Sequence, residues 1–140
     1  MRVAVFDTNV IVSGMLSPHG PPGMIVDRLR CGLLVAVLDD RIFGEYAEVL
    51  ARPRLGLPQE EVRLVLRIIR RRARMVDGSP EIDSARLPDP DDAPFVACAL
   101  AAGVSLVTGN LRHFPKRVTG TVPVLTPADF LRQGHDDAGA

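Results

Sequence analysis

The chain has 140 residues, of which 46% are hydrophobic and 24% are charged, and its formal net charge is zero. This length predicts one domain with enough apolar residues to bury a core. A zero net charge excludes a module that attracts nucleic acid through a strong overall field, but it allows an enzyme that acts on RNA through a local patch. Aromatic residues make up only 4% of the chain, so stacking on nucleobases is a weak basis for binding.

The first residues lack the basic start and the long apolar core of a signal peptide, and no apolar run approaches the roughly 20 residues that span a bilayer. We therefore expect a cytoplasmic protein that does not associate with membranes. Cys31 and Cys98 have no metal-type spacing and lie in apolar segments, so we expect both to be buried, reduced thiols.

Short apolar runs of strand length alternate along the chain with segments of helical periodicity. The predicted strands are 3–6, 33–38, 75–76, 104–107 and 121–125. The predicted helices are 9–16, 24–30, 41–52, one that opens at Pro58, 93–102, and a last one capped by Thr126 that runs to about residue 132. This alternation is typical of an α/β fold with a mainly parallel sheet of about four or five strands and helices on both faces. Residues 1–132 form the predicted domain, and 133–140 form a predicted flexible tail.

Asp7 directly follows the first apolar run, 3–6, and is followed by Thr8 and Asn9. A carboxylate at the carboxyl end of a buried parallel strand lies where open α/β sheets bind their ligands. The alternative is that Asp7 or Asn9 only caps the next helix, which is a common role for both residue types.

Glu45 and Glu48 lie on the helix predicted over 41–52, which we expect Asp40 to cap. Glu45 falls at the margin of the apolar stripe of this helix, whereas Glu48 falls further round, toward water. A carboxylate beside a buried stripe is partly desolvated, so Glu45 is a candidate site residue. The alternative is a surface acid at the edge of the stripe.

The helix that opens at Pro58 carries a second stripe, made of arginines, on the side away from its apolar residues. This arginine stripe comprises Arg63, Arg67, Arg70, Arg71 and Arg74. A stripe of this kind is usually a solvated face. The alternative is an edge that contacts RNA, because the guanidinium group makes bidentate contacts with phosphate.

Residues 77–92 are acidic and rich in proline, and they lead into the helix over 93–102, which is apolar almost all round. Asp91 or Asp92 precedes this helix, and either one could serve as its cap. The alternative is that one of these carboxylates reaches a site at the edge of the sheet.

Three acids and one amide are thus candidates for a shared site: Asp7, Glu45, Asp91 or Asp92, and Asn110, which follows the strand over 104–107. In a doubly wound sheet, the ends of central strands and the starts of the following helices converge on one edge. Carboxylates packed so closely raise one another's pKa unless a cation holds them. Oxygen ligands suit Mg²⁺ or Mn²⁺, which can activate water and neutralise charge on a phosphodiester.

Four segments of the chain resemble, in the right order, the four motifs of the PIN-domain family, as found in VapC-like toxins of bacterial toxin–antitoxin pairs. The segments are Val5-Phe6-Asp7-Thr8-Asn9-Val10, Glu45-Tyr46-Ala47-Glu48-Val49-Leu50, Asp89-Pro90-Asp91-Asp92-Ala93-Pro94-Phe95-Val96-Ala97-Cys98-Ala99 and Leu106-Val107-Thr108-Gly109-Asn110-Leu111-Arg112-His113-Phe114. Each motif is weak alone, but four in order over residues 3–114 are specific.

The resemblance implies a three-layer α/β/α fold and a Mg²⁺- or Mn²⁺-dependent ribonuclease that cuts single-stranded or structured RNA. It implies metal ligands at Asp7, Glu45 and Asp92, a further catalytic residue at Asn110, and supporting residues at Thr8, Thr108 and Asp91. It also implies a homodimer that is inhibited by a small antitoxin protein.

The chain departs from the family pattern at two positions. Many members carry Asp where this chain has Asn110, and toxins of this type often carry Asp where it has His113. The first change removes one negative charge from the implied site. We interpret His113 itself as a partly exposed loop residue.

Two other functions are alternatives. One is a PIN-like module that binds RNA or a partner without cutting, and three acids that repel one another argue against it because a binder does not need them. The other is a different Mg²⁺-dependent phosphoryl-transfer α/β enzyme. A haloacid-dehalogenase-like phosphatase would need a second Asp where this chain has Asn9.

Overall fold

The computed structural model describes residues 2–138, with side chains described from residue 2 to residue 133. The strands are β1 (Arg2–Phe6), β2 (Leu34–Leu38), β3 (Arg74–Met75), β4 (Leu106–Val107) and β5 (Val124–Leu125). They form one sheet in the order β3–β2–β1–β4–β5, and all neighbouring pairs are parallel. The predicted parallel sheet is therefore confirmed.

Helices cover both faces of this sheet in a three-layer α/β/α arrangement. They are α1 (Thr8–Leu16), α2 (Pro21–Cys31), α3 (Asp40–Leu50), α4 (Gln59–Arg72), α5 (Ala93–Ala102), α6 (Lys116–Thr119) and α7 (Pro127–Ala138). The consecutive residues Ala4, Val5 and Phe6 of β1 are all fully buried. Because successive strand residues point to opposite faces, this burial requires cover on both sides.

The chain order reverses at β1, which lies between β2 and β4. In such sheets a crevice opens at the carboxyl ends of the two strands where the order reverses. Phe6 pairs with Val107, so the residues that follow them, Asp7 and Thr108, lie level with each other. The Asp7 N–H group donates to the Val107 carbonyl oxygen at 2.9 Å, which fixes this register up to the crevice.

Three expectations about the first half of the chain are wrong. Helix α2 begins at Pro21, before the predicted start at residue 24, because prolines fit the first turn of a helix. Asp39, not Asp40, caps α3, and its Oδ1 atom accepts from the Ile42 N–H group at 3.0 Å. Cys31 is exposed because it ends α2 at the surface, whereas Cys98 is buried as predicted.

The last helix, α7, is longer than predicted. Its start agrees with the sequence, since Thr126 Oγ1 accepts from the Asp129 N–H group at 3.1 Å. The helix continues to Ala138, past the predicted end at 132, so most of the predicted tail, 133–138, is helical. Residues 139 and 140 lie outside the described residues, and the flexibility of the tail stays a prediction. Over residues 2–138, no helix is both long enough and apolar enough to cross a bilayer.

Tyr46 ties α3 to the end of β1. Its side chain is fully buried, and its hydroxyl group donates a hydrogen bond to the carbonyl oxygen of Phe6, the last residue before Asp7. This bond holds the helix that carries Glu45 against the strand that carries Asp7.

We predict that Tyr46→Phe lowers the free energy of unfolding by about 1 kcal/mol, because it removes one hydrogen bond from the core without changing the shape of the ring. Urea denaturation of the metal-free protein measures this change. An unchanged urea midpoint would show that the bond contributes nothing to stability.

Candidate functional site

An acidic cleft of about 420 Å³ opens at the carboxyl edge of the sheet. Its lining residues are Asp7, Thr8, Asn9, Val12, Ser13, Glu45, Val49, Arg52, Arg54, Leu55, Asp89, Asp91, Asp92 and His113. A larger cavity, about 580 Å³, lies between residues 114 and 124, and Lys116 is the one charged residue among the described residues that line it. The acidic cleft is therefore the candidate for chemistry.

Asp7 is 5% exposed and lies at the first position before α1, yet its side chain makes no capping hydrogen bond. Its Oδ2 atom instead accepts a bond of 2.8 Å from the buried hydroxyl group of Thr108. Burial raises the pKa of the Asp7 carboxyl group, although the Thr108 bond and the nearby N–H groups of Thr8 and Asn9 oppose this shift. The structure thus favours the site interpretation of Asp7 over the capping one.

Glu45 enters the cleft from α3 and is half-buried. The hydroxyl group of Thr8 donates a hydrogen bond to its Oε2 atom, so the side chain is oriented toward the end of β1. Burial raises the pKa of the Glu45 carboxyl group, and the carboxylates of Asp7, Asp91 and Asp89 raise it further against the Thr8 bond.

Asp92 supplies the second buried carboxyl group, since it is only 7% exposed while Asp91 is exposed at the rim. A short 3₁₀ turn, Pro90–Asp92, delivers it to the cleft, and Asp89 caps that turn by accepting from the Asp91 N–H group at 3.0 Å. Asp92 makes no capping bond to α5. Burial, together with the charges of Asp7 and Asp89, raises the pKa of Asp92 to about 7.

His113 is a partly exposed loop residue, as the sequence predicts, but it also lies in the site. Its Nδ1 atom is 3.1 Å from Oδ2 of Asp92. One donor atom each from Asp89, Asp92 and His113 lie within 4.8 Å of one another, which is close enough to hold a metal ion. A 3₁₀ turn, Leu111–His113, turns the loop back toward the cleft, and this turn gives no periodic signal in the sequence.

The loop after β4 is fastened to the start of α1. Asn9 Oδ1 accepts from the Gly109 N–H group at 3.1 Å, and the Asn110 N–H group donates to Thr108 Oγ1 at 3.0 Å. Asn110 does not line the cleft. Asn110, which we expect from the sequence to be a catalytic residue, therefore contacts Thr108 through its backbone N–H group. His113 is the residue of this loop that reaches the acids.

The arginine stripe of the sequence analysis lies elsewhere. All five of its side chains are exposed, and none of them lines the cleft. Arg70 pairs with Asp40 at 2.9 Å and lies over the ring of Phe43. The arginines of the cleft are instead Arg52 and Arg54, which follow α3.

The chemistry of the cleft residues fits a divalent cation. Two buried carboxyl groups and one half-buried carboxyl group share the cleft, and the pKa of each is raised. A cation among Asp7, Glu45 and Asp92 would offset both the free-energy cost of burying their charges and the repulsion between them. Oxygen donors with one imidazole suit Mg²⁺ or Mn²⁺.

Comparisons with known proteins agree with the observed fold. A family model of the PIN domain matches residues 3–112. Among solved structures, VapBC2 from Rickettsia felis, crystallised with a DNA fragment from their promoter, is similar to this chain in fold, with a TM-score of 0.57 and 16% sequence identity. That similarity covers 90% of this chain and 98% of the other chain. No curated protein matches the sequence.

We predict that the metal-free protein loses stability as the pH rises from about 5 to about 8, because carboxyl groups with raised pKa bind protons more tightly in the folded than in the unfolded chain. Asp92, with a pKa of about 7, places the loss in this window. Asp7→Asn should reduce the loss, since it removes one group with a raised pKa and one charge that raises the pKa of Asp92, while the neutral amide still accepts the Thr108 bond. Urea denaturation with EDTA across the pH range is the measurement.

The matched control is Asp27→Asn, which neutralises an exposed acid of α2 outside the cleft and should leave the pH dependence unchanged. A parent protein that is equally stable or more stable at the higher pH would contradict the prediction.

Proposed function

Because its residues 3–112 match the family model, the chain belongs to the PIN-domain family, and we propose that it is a metal-dependent ribonuclease. PIN domains are generally nucleases. The observation that carries the proposal is the convergence of Asp7, Glu45 and Asp92, whose carboxyl groups all have a raised pKa in one cleft. A protein that only binds nucleic acid gains nothing from gathering acids that repel both one another and its ligand.

In this proposal Asp7, Glu45 and Asp92 hold Mg²⁺ or Mn²⁺, and the cation, when bound, activates water and neutralises charge on the RNA phosphodiester bond. Thr108 and Thr8 orient two of the carboxylates through the hydroxyl bonds described above. Such outer contacts fix the direction in which a ligand points at a metal. Asp91 at the rim would assist Asp92.

His113 and Asp89 extend the proposed metal site on the side of Asp92. Their donor atoms lie within 4.8 Å of each other and of Asp92. An imidazole nitrogen is a better ligand for Mn²⁺ than for Mg²⁺. Asn110 would act indirectly, by holding Thr108 through its N–H group.

We further propose that the chain is the toxin of a toxin–antitoxin pair, that it forms a homodimer and that a small antitoxin protein inhibits it. The sequence motifs support this role, and the fold is similar to that of VapBC2, which was crystallised with DNA from their promoter. The test is a small reading frame adjacent to the gene, whose product should co-purify with this chain and block RNA cleavage. A purified chain that never binds the neighbouring product would contradict this role while leaving the nuclease proposal intact.

The alternative is a module that binds RNA or a partner without cutting. The observation that favours it is Asn110, since the loop after β4 supplies an amide where many family members have a carboxylate. The cleavage experiment below decides between the two functions.

We predict that the parent protein cuts labelled RNA in Mg²⁺ or Mn²⁺, that EDTA abolishes cleavage, and that Asp7→Asn slows it by at least about 100-fold because the first metal ligand is lost. Gel analysis of a pool of single-stranded and hairpin RNAs measures cleavage. Asp27→Asn is the matched control and should cut like the parent. If the parent cuts no RNA with either metal, the nuclease proposal fails.

We predict that His113→Ala weakens Mn²⁺ binding by about 10-fold and Mg²⁺ binding by less, because it removes the one nitrogen donor beside Asp92. Titration calorimetry of the metal-free protein compares the two ions. An unchanged affinity for Mn²⁺ would remove His113 from the proposed metal site.

A further inference from the structure

The acidic cleft repels the substrate that the proposed function requires. Its described lining residues include five acids and two arginines, Arg52 and Arg54. A bound divalent cation offsets only part of this negative charge. RNA phosphates therefore need a cationic contact inside or beside the cleft, and Arg52 and Arg54 are the residues placed to make it.

A short rigid turn holds these two arginines. Helix α3 ends at Leu50, and Pro53 then starts a 3₁₀ turn, Pro53–Leu55, which Gly56 ends in the left-handed region at φ 64°. The Leu55 N–H group donates to the Arg52 carbonyl oxygen at 3.1 Å, and Leu55 itself lines the cleft. The turn is thus a fixed support for the two side chains.

The position of Arg52 is set by the C-terminal end of α3. Glu45 and Val49 lie on this helix, Arg52 follows its last residue, Leu50, by two positions, and Glu45, Val49 and Arg52 all line the cleft. The Arg52 N–H group donates to the Val49 carbonyl oxygen at 3.1 Å, which holds Arg52 at the helix end, roughly 10 Å along the axis from the proposed metal ligand Glu45. A phosphate at Arg52 would therefore belong to a nucleotide next to the one at the acidic centre.

Both guanidinium groups are available to a phosphate. Arg52 pairs with Glu48 at 3.0 Å, but the two side chains are 41% and 65% exposed, and such a surface pair is weak. Arg54 is exposed and makes no ion pair with any residue between 2 and 133. Within the arginine stripe, by contrast, Arg70 is engaged by Asp40 and Phe43.

We propose that Arg52 and Arg54 are substrate-positioning residues that bind the RNA phosphate adjacent to the one held at the acidic centre. This inference rests on the proposed function, since it needs RNA in the cleft. The guanidinium group suits the role because it meets a phosphate with two parallel hydrogen bonds. The pair would fix the direction in which the RNA strand crosses the site, leaving the chemistry to the acids.

The test replaces both residues, in Arg52→Gln/Arg54→Gln, and separates binding from chemistry. In steady-state cleavage of a randomised, labelled single-stranded RNA, KM should rise about 10-fold while kcat changes by less than about 2-fold. In the Asp7→Asn background, fluorescence anisotropy should show weaker RNA binding and a salt slope reduced by about one to two. Metal affinity from calorimetry should stay that of the parent.

Three further variants make the test specific. Arg117→Gln/Arg132→Gln removes the same charge from two exposed residues outside the cleft and should leave KM unchanged. Arg52→Lys/Arg54→Lys keeps the charge but not the bidentate geometry, so it should restore KM only in part. Arg67→Gln/Arg71→Gln tests the arginine stripe in the same assays.

The inference is overturned if Arg52→Gln/Arg54→Gln cleaves with the KM and the salt slope of the parent, or if only the stripe variant loses binding. It is also overturned if metal affinity falls in step with RNA binding, because the residues would then support the metal site instead of the substrate. A parent that cuts RNA while the inference fails leaves the proposed function standing. A parent that neither binds nor cuts RNA overturns both.

Discussion

The carboxyl groups of Asp7 and Asp92 are both buried in one cleft, where the charge of Asp7 raises the pKa of Asp92, and the surrounding structure holds them there. Left alone, such groups would turn toward water or separate. Thr108 holds Asp7 by a hydrogen bond within the register of β1 and β4, and the 3₁₀ turn capped by Asp89 holds Asp92. The apolar core supplies the stability that opposes this local repulsion.

The fold and the acids could be predicted from the sequence because their signals are local or follow from topology. Fully apolar runs predict strands buried on both faces, and the rule for parallel sheets places the residues after them at one edge. The capping alternatives could not be excluded in this way. Asp7 and Asp92 both occupy the N-cap position of a helix, and only the direction of each side chain shows that neither makes a capping hydrogen bond.

The cleft residues that the sequence failed to place lie on 3₁₀ turns or directly beside them. His113 and the arginines of the cleft sit on Leu111–His113 and Pro53–Leu55 or next to them, and such short turns have no repeat that fixes where a side chain points. For the arginine stripe, periodicity correctly predicted that Arg63, Arg67, Arg70 and Arg71 form an exposed face of α4. It wrongly placed Arg74 on the same helix, since Arg74 lies in β3, and it could not show that the stripe lies outside the cleft. The sequence does not show that Asp39, not Asp40, caps α3, because two neighbouring aspartates are equally good caps.

Helix α3 joins the acidic centre to Arg52 through a continuous stretch of helix and the first residue beyond it. Each residue of a helix turns the chain by about 100°, so one residue inserted or deleted between Glu45 and Arg52 would swing the guanidinium group out of the cleft while leaving every carboxylate in place. Glu48 and Ala51 in that stretch are exposed, so their identity can change in evolution, whereas Tyr46 and Leu50 are fully buried and held by the core. The number of residues in the stretch is constrained as strictly as its buried side chains, because it sets the direction of Arg52.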